Sequence, residues 1–297
     1  MNDFAFSLLG RKIFGKASTG VEAALRRLFG FSEQQNALES DFRLELVQSN
    51  TTPPNLDNPF TATIHQGNIE VATHSDVLLV RQADATAQLE FAQNSARLTL
   101  FGNSSHLYAC LMAASIEALR ASGLLPMHTA IAAKDGVGIA FTGESGRGKT
   151  TTLLHSIKAG YSPVCEDFAW LEPMSSRVYG TDRGLRCLPD TLARLETFFP
   201  GVVPVAFEAD KHLVPFEALA PRVWVCELGQ VWTLARDLSV PTRLEPLGAA
   251  QAAMALYAAT GVPLGALTRA QAASAIQGLV KRLVVKQLWI GSTELPF

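Results

Sequence analysis

The run Gly143-Glu144-Ser145-Gly146-Arg147-Gly148-Lys149-Thr150 satisfies the pattern G-x-x-x-x-G-K-[ST]. The pattern demands a strand running in, a tight turn and a helix running out. The flanks agree. Val137 to Phe141 is an apolar stretch that reads as a strand, and Thr150 to Lys158 carries Leu153, Leu154 and Ile157 on one helical face. Between them, glycines let successive N–H groups turn inward around phosphate oxygens at a helix N-terminus, whose dipole also favours anions. Lys149 is placed to reach the β- and γ-phosphates of a nucleotide, and Thr150 to set its hydroxyl on Mg²⁺. The eight residues of the run, with Thr151 after them, form the expected nucleotide-binding segment.

Composition bounds the rest. With 297 residues and 48% hydrophobic content, the chain can build a substantial core in one large domain or two smaller ones. Lys plus Arg number 25 against 27 Asp plus Glu, a formal charge of −2, so no strong field favours nucleic acid. Cys110, Cys165, Cys187 and Cys226 form no C-x-x-C pair and have no histidine at zinc-ligand spacing; they read as reduced core thiols. Met1 to Lys16 lacks the uninterrupted apolar region of a signal peptide, and no apolar run reaches the ~18 residues of a bilayer span. The expected setting is the cytoplasm.

Residues 1–125 read as a mainly β, α+β recognition domain. Val21 to Phe31 has helical apolar spacing, Ser32 to Ser40 and Asn50 to Phe60 read as loops, and Leu107 to Ala121 reads as a helix ended by Gly123. Strand-like pieces run from Phe42 to Val47, Ala62 to Val71, Val77 to Arg81, Gln88 to Ala92 and Ala96 to Leu100, with the alternation of antiparallel strands wet on one face.

Residues 126–297 read as the catalytic domain. Met127 to Ala133 and Val137 to Thr142 flank Lys134-Asp135-Gly136, whose Asp-Gly pair signals a hairpin, so a mixed sheet is expected around the loop. Pro163 to Cys165 is a short strand ending in Glu166-Asp167, and Ala169 to Leu171 begins another. Thr191 to Phe199, Ala249 to Ala259 and Arg269 to Leu283 read as helices, and Val284 to Ile290 as a late strand. Val223 to Glu227 and Gln230 to Leu234 read as a hairpin turned at Leu228-Gly229.

In a strand-loop-helix-strand unit, the carboxyl end of the second strand sits beside the phosphates. That end is Glu166-Asp167. Phosphoryl transfer needs a carboxylate to hold Mg²⁺ and a group to orient or deprotonate the attacking hydroxyl, and two adjacent acids can divide these tasks. Glu166, Asp167, His128 and Lys149 are therefore the candidate catalytic residues, and Thr150, Asp167 and Glu166 the candidate metal ligands. Lys211, Arg183, Arg186 and Arg222 could act as transition-state cations and are otherwise of a type that sits solvated at the surface.

Met127-His128-Thr129-Ala130, the loop Gly143 to Thr150 and Val164-Cys165-Glu166-Asp167 resemble, in order and spacing, the catalytic domain of the HPr kinase/phosphorylase family. That family includes small kinases acting on serine in peptides or as the free amino acid. The likeness covers roughly Pro126 to Leu171. It implies an α/β fold, a mixed-sheet P-loop kinase domain of HPr kinase/phosphoenolpyruvate carboxykinase type, with ATP and Mg²⁺ and transfer of the γ-phosphoryl group to a hydroxyl. The resemblance gives the base to the first acid, Glu166, and the metal to the second, Asp167, and its histidine falls on His128. Relatives often assemble, so a homo-oligomer is compatible with it. Two departures stand out. The first acid is Glu, one methylene longer than the family's Asp, and the later E-x-R-G signature has only a partial echo in Thr181-Asp182-Arg183-Gly184. Without that signature a kinase lacking the reverse phosphorolysis is expected.

The expected function is thus an ATP- and Mg²⁺-dependent kinase acting on a serine or threonine of a peptide or protein, or on a small hydroxylated metabolite. The alternatives are a nucleotide-gated ATPase or switch, and a nucleotide-binding module without catalysis.

Overall fold

The computed structural model describes residues 1–29, 40–64, 67–102, 105–208 and 211–297. Its contacts divide into two units, Met1–Leu124 with Pro263–Ala273, and Leu125–Val262 with Ser274–Phe297. Each is of mixed α/β type.

In the first unit, β1 (Asn2–Leu8), β2 (Arg11–Ala17), α1 (Thr19–Phe29), β3 (Arg43–Ser49), β4 (Phe60–Ile64), β5 (Gly67–His74), β6 (Val77–Gln82), β7 (Ala85–Ala92), β8 (Ser95–Phe101) and α2 (Leu107–Ala121) follow in order. Among the described residues the strands form one eight-stranded sheet, β1-β2-β3-β8-β7-β6-β5-β4. β3 runs parallel to both β2 and β8, and the other neighbours pair antiparallel. A parallel pair needs a crossover, and the chain between β2 and β3 contains α1. Alternate residues such as Leu44, Leu46, Leu98 and Leu100 are buried, which is why the period-two pattern was legible. The segment from Pro263 joins this unit through Glu117 of α2. Its carboxylate accepts from the Gly265 N–H at 3.2 Å and from the Thr268 hydroxyl, and pairs with Arg120 at 3.1 Å.

Two readings change here. Met1 to Lys16, unassigned from sequence, forms the hairpin β1-β2. Ala62 to Val71, expected as one strand, is the hairpin β4-β5, with Gly67 at φ 108° where the second strand begins. The end of the helix expected to reach Phe31, and residues 32–39 of the loop expected at Ser32 to Ser40, lie outside the described residues.

The second unit contains β9 (Leu125–His128), β10 (Ala130–Lys134), β11 (Val137–Thr142), α3 (Lys149–Lys158), β12 (Ser162–Cys165), β13 (Phe168–Glu172), β14 (Arg177–Gly180), β15 (Gly184–Cys187), α4 (Pro189–Phe198), β16 (Val205–Glu208), β17 (Lys211–Pro215), β18 (Val225–Arg236), β19 (Arg243–Pro246), α5 (Ala249–Thr260) and β20 (Val284–Ile290). The helix α6 (Ala266–Val280) begins in the first unit's segment and ends in this one. The β10-β11 hairpin turns at Asp135 and Gly136, with φ of 53° and 81°, the left-handed pair a two-residue turn requires. Met127 to Ala133 is two strands rather than one. The chain shifts sheet position at Thr129, whose N–H donates to Asp167 O at 3.1 Å and whose hydroxyl donates to Phe141 O at 2.9 Å. β9 then pairs with β13, while β10 pairs with β11 and β12.

The hairpin expected at Leu228-Gly229 is absent among the described residues; β18 is continuous. Gly229 is instead the extra residue of a bulge, since Gly138 pairs with Leu228 and Ile139 with Gln230. Along its length β18 pairs with β14, β11 and β20 in turn. A separate small sheet, β15-β17-β16, lies in the same unit. α3 buries Leu153, Leu154 and Ile157 with Phe141, Leu185, Val214 and Trp232. Each fully buried leucine stabilises the unit by roughly 1.5–3 kcal/mol, so the phosphate loop hangs between two anchored elements. No helix among the described residues is long and apolar enough to cross a membrane, which says nothing of strands.

Candidate functional site

The glycines shape the loop between β11 and α3. Gly143, Gly146 and Gly148 have φ of 148°, 78° and 100°, values that L side chains rarely adopt. Gly143 also lies against β18, where a Cβ would come 3.2 Å from Leu234 O. No described side chain caps α3, so its first N–H groups present partial positive charge to an anion. Lys149 curls over the loop, its Nζ donating to Gly143 O at 2.8 Å and Glu144 O at 3.3 Å. Burial lowers its pKa, with Asp167 and Glu166 opposing that shift. Glu144 and Arg147 bind each other at 2.7 Å in solvent, a surface pair of small energetic weight. Ser145 is exposed, and Thr151 is half-buried in the first turn of α3.

The two acids sit between β12 and β13. β9 lies beside β13 with His128 opposite Phe168, which places the imidazole next to Asp167. His128 Nδ1 is 3.1 Å from Asp167 Oδ1. On the other side the Thr150 hydroxyl donates to Glu166 Oε1 at 2.7 Å. The contacts therefore join Thr150 to the first acid and His128 to the second, where the resemblance gives the metal to the second.

Two residues hold this pair. One oxygen of Asp182, Oδ2, accepts from the successive N–H groups of Glu166, Asp167 and Phe168 at 2.9, 2.7 and 3.0 Å. Such a row of amides ordinarily cups an anion, and here the anion is a side chain of the protein. Arg186, on β15, reaches across with Nε 3.0 Å from Glu166 Oε2 and one terminal nitrogen 2.7 Å from Asp167 Oδ2. Burial works against the charged guanidinium, but Glu166, then Asp167 and Asp182, outweigh it and push its pKa up. Glu166 is only 7% exposed. Burial raises its pKa, against the lowering effects of the Thr150 hydrogen bond and Arg186.

The donor set is oxygen-rich and hard, as Mg²⁺ prefers. Among the described residues no group of three or more His, Cys, Asp and Glu could hold a metal ion by itself.

Beside the loop, over the carboxyl ends of β11, β18 and β20, lies a cavity of about 620 Å³. Its walls include His128, Gly143, Arg236, Gln287 and Trp289, with Ala255 and Ala258 of α5. The volume is in the range of small-molecule sites, and the place is where open α/β sheets bind ligands.

All the expected site residues thus lie in the second unit, on or next to the loop. Cys165, read from sequence as a core thiol, is fully buried with its Sγ 3.3 Å from Thr129 O. Of the four candidate cations, Arg186 enters the acid cluster, whereas Arg222 stacks on Trp224 at 3.1 Å from the ring centre. Sequence reasoning missed Asp182 altogether as a partner of the acids. Its place in the partial echo Thr181 to Gly184 was the one available signal.

No family model matches the chain, and no curated protein matches it. Among solved structures, the Hpr(Ser) kinase/phosphatase from Coxiella burnetii is similar over 58% of this chain and 80% of that one, with 14% sequence identity and a TM-score of 0.28. The relationship is distant and structural, too loose to carry a fold or an activity across.

Proposed function

We propose that this protein is an ATP-dependent kinase that moves the γ-phosphoryl group to the hydroxyl of a serine or threonine in a peptide or protein, or of a small metabolite. The observation that carries this reading is the joining of three groups: the Thr150 hydroxyl on Glu166 at 2.7 Å, immediately beside Lys149, with Asp167 holding His128 at 3.1 Å.

The roles follow from the contacts. The loop amides and Lys149 bind and orient the phosphates. Thr150 and Glu166 would hold Mg²⁺, with Asp167 alongside; the ion, when bound, neutralises charge on the transferring group. His128 Nδ1 lies 3.1 Å from Asp167 Oδ1; with the ring proton on Nδ1, the Nε2 lone pair would be left to receive the proton of the acceptor hydroxyl. Asp167 then steadies the imidazolium, as a carboxylate does in a hydrolase triad. This reading exchanges the duties that the resemblance gives the two acids, and the extra methylene of Glu166 supplies the reason, since it carries that carboxylate out to Thr150. The nucleoside would lie in the cavity beside the loop, against Trp289.

The test is to incubate the protein with γ-labelled ATP and cell extract. Label moving to a macromolecule or a metabolite supports the kinase. Label released only as free phosphate favours the nucleotide-gated ATPase, and calorimetry showing no heat with ATP or GTP removes both.

A further inference from the structure

The four oxygens of Glu166 and Asp167 are all engaged. Thr150 takes Glu166 Oε1 and His128 takes Asp167 Oδ1, while Arg186 takes one oxygen of each acid, Glu166 Oε2 at 3.0 Å and Asp167 Oδ2 at 2.7 Å. A guanidinium spanning two carboxylates does electrostatically what a divalent ion would do at the same spot. It also lies 3.8 Å from Asp182 Oδ1, so three carboxylates face it. Arg186 comes from β15, in the small sheet, and not from the loop or from β12 or β13. Its 30% exposed side chain has a path to solvent.

We propose that Arg186 is a displaceable counter-ion, which occupies the acid pair until nucleotide phosphates arrive with the metal. This rests on the kinase reading for its purpose but not for its test. With Arg186 in place, a lone divalent ion meets carboxylates already neutralised in part, and must displace a bidentate guanidinium to bind. A metal–nucleotide complex brings its own anionic oxygens, which both complete the ion's shell and offer the released guanidinium a new partner. Metal and nucleotide therefore enter together, and Arg186 guards the acids against binding metal alone.

The experiment measures Mn²⁺ binding by electron paramagnetic resonance on the full chain without nucleotide. In the wild type, Mn²⁺ alone should bind weakly. Arg186→Gln should bind it about tenfold or more tightly, because one unit of opposing charge at contact distance has been removed, and the gain should vanish in Arg186→Gln with Glu166→Gln. Equal Mn²⁺ affinity in the wild type and Arg186→Gln would overturn the proposal. Should Arg186→Gln not fold, Arg186→Lys serves, because an ammonium lacks the fork that spans both acids. It should bind Mn²⁺ more tightly than the wild type, and no gain would again overturn the proposal. If the Mn²⁺ difference appears but ATP with Mg²⁺ does not bind, the counter-ion stands and the kinase reading falls. If ATP with Mg²⁺ binds and the difference is absent, the reverse holds.

Discussion

On the β12 side of Lys149, Glu166 and Asp167 are fixed by contacts from Thr150, His128, Arg186 and the main-chain grip of Asp182; on the β18 and β20 side there is open space of about 620 Å³ walled by residues that include Trp289, Gln287 and three alanines. The first neighbourhood is bonded and the second is shaped. Groups held in advance suit the step where charge moves, because they need little reorganisation as the reaction proceeds. A roomy cavity with Trp289 in its wall suits recognition of a ring by area and stacking. Binding and transfer should accordingly come apart under mutation.

The largest effect is expected at the residue both sides share. Lys149→Ala should lower phosphoryl transfer by about a thousandfold or more and weaken nucleotide binding as well, read by label transfer and calorimetry; retained binding with retained rate would dissolve the whole site. Asp167→Asn should cut transfer by roughly 10²–10⁴ while nucleotide affinity stays within a few-fold. Glu166→Gln should instead weaken Mg²⁺-dependent nucleotide binding by about 10–100-fold. If the two variants trade these signatures, the duties belong to the acids as the resemblance assigns them. Gly180→Ala probes what underlies the bonded side: a Cβ there would lie 2.0 Å from Val164 O, so β14 and β12 must part, at a cost of roughly 1–3 kcal/mol in a denaturant titration. Trp289→Ala should weaken nucleotide binding by about tenfold or less, with the rate at saturation unchanged.

The smallest effect is a pH dependence. Burial raises the pKa of Glu166 above its usual 4.5, so its contribution to stability is full below that value and is lost as pH rises through the raised one. The melting temperature of the wild type relative to Glu166→Gln should therefore fall with rising pH across that window. A flat difference would mean that Thr150 and Arg186 cancel the burial.

The same contrast explains what could be read from sequence. The loop was legible because its chemistry is contiguous: the glycines, Lys149 and Thr150 announce themselves within eight residues. His128 and Asp167 were found through their spacing to that loop, and the β9-β13 register brings them together. Arg186 was one of four candidate cations with nothing in the sequence to tie it to the acids, and Asp182 showed only through the partial echo Thr181 to Gly184. Arg186 reaches the acids from β15, four residues long and too short to show an alternation, and Asp182 from the segment just before it. The break at Thr129 was hidden for a related reason, because both halves are apolar strands and only the choice of neighbours separates them. Leu228-Gly229 misled in the opposite sense, since glycine marks bulges as readily as turns.

The bulge at Gly229 has one more consequence. Because the chain does not reverse there, a single length of backbone, β18, forms a cavity wall near Thr233 and Leu234 and, lower down, carries β14, which carries β13 and then β9 with His128. The strand that carries His128 and the strand that lines the cavity thus belong to one sheet.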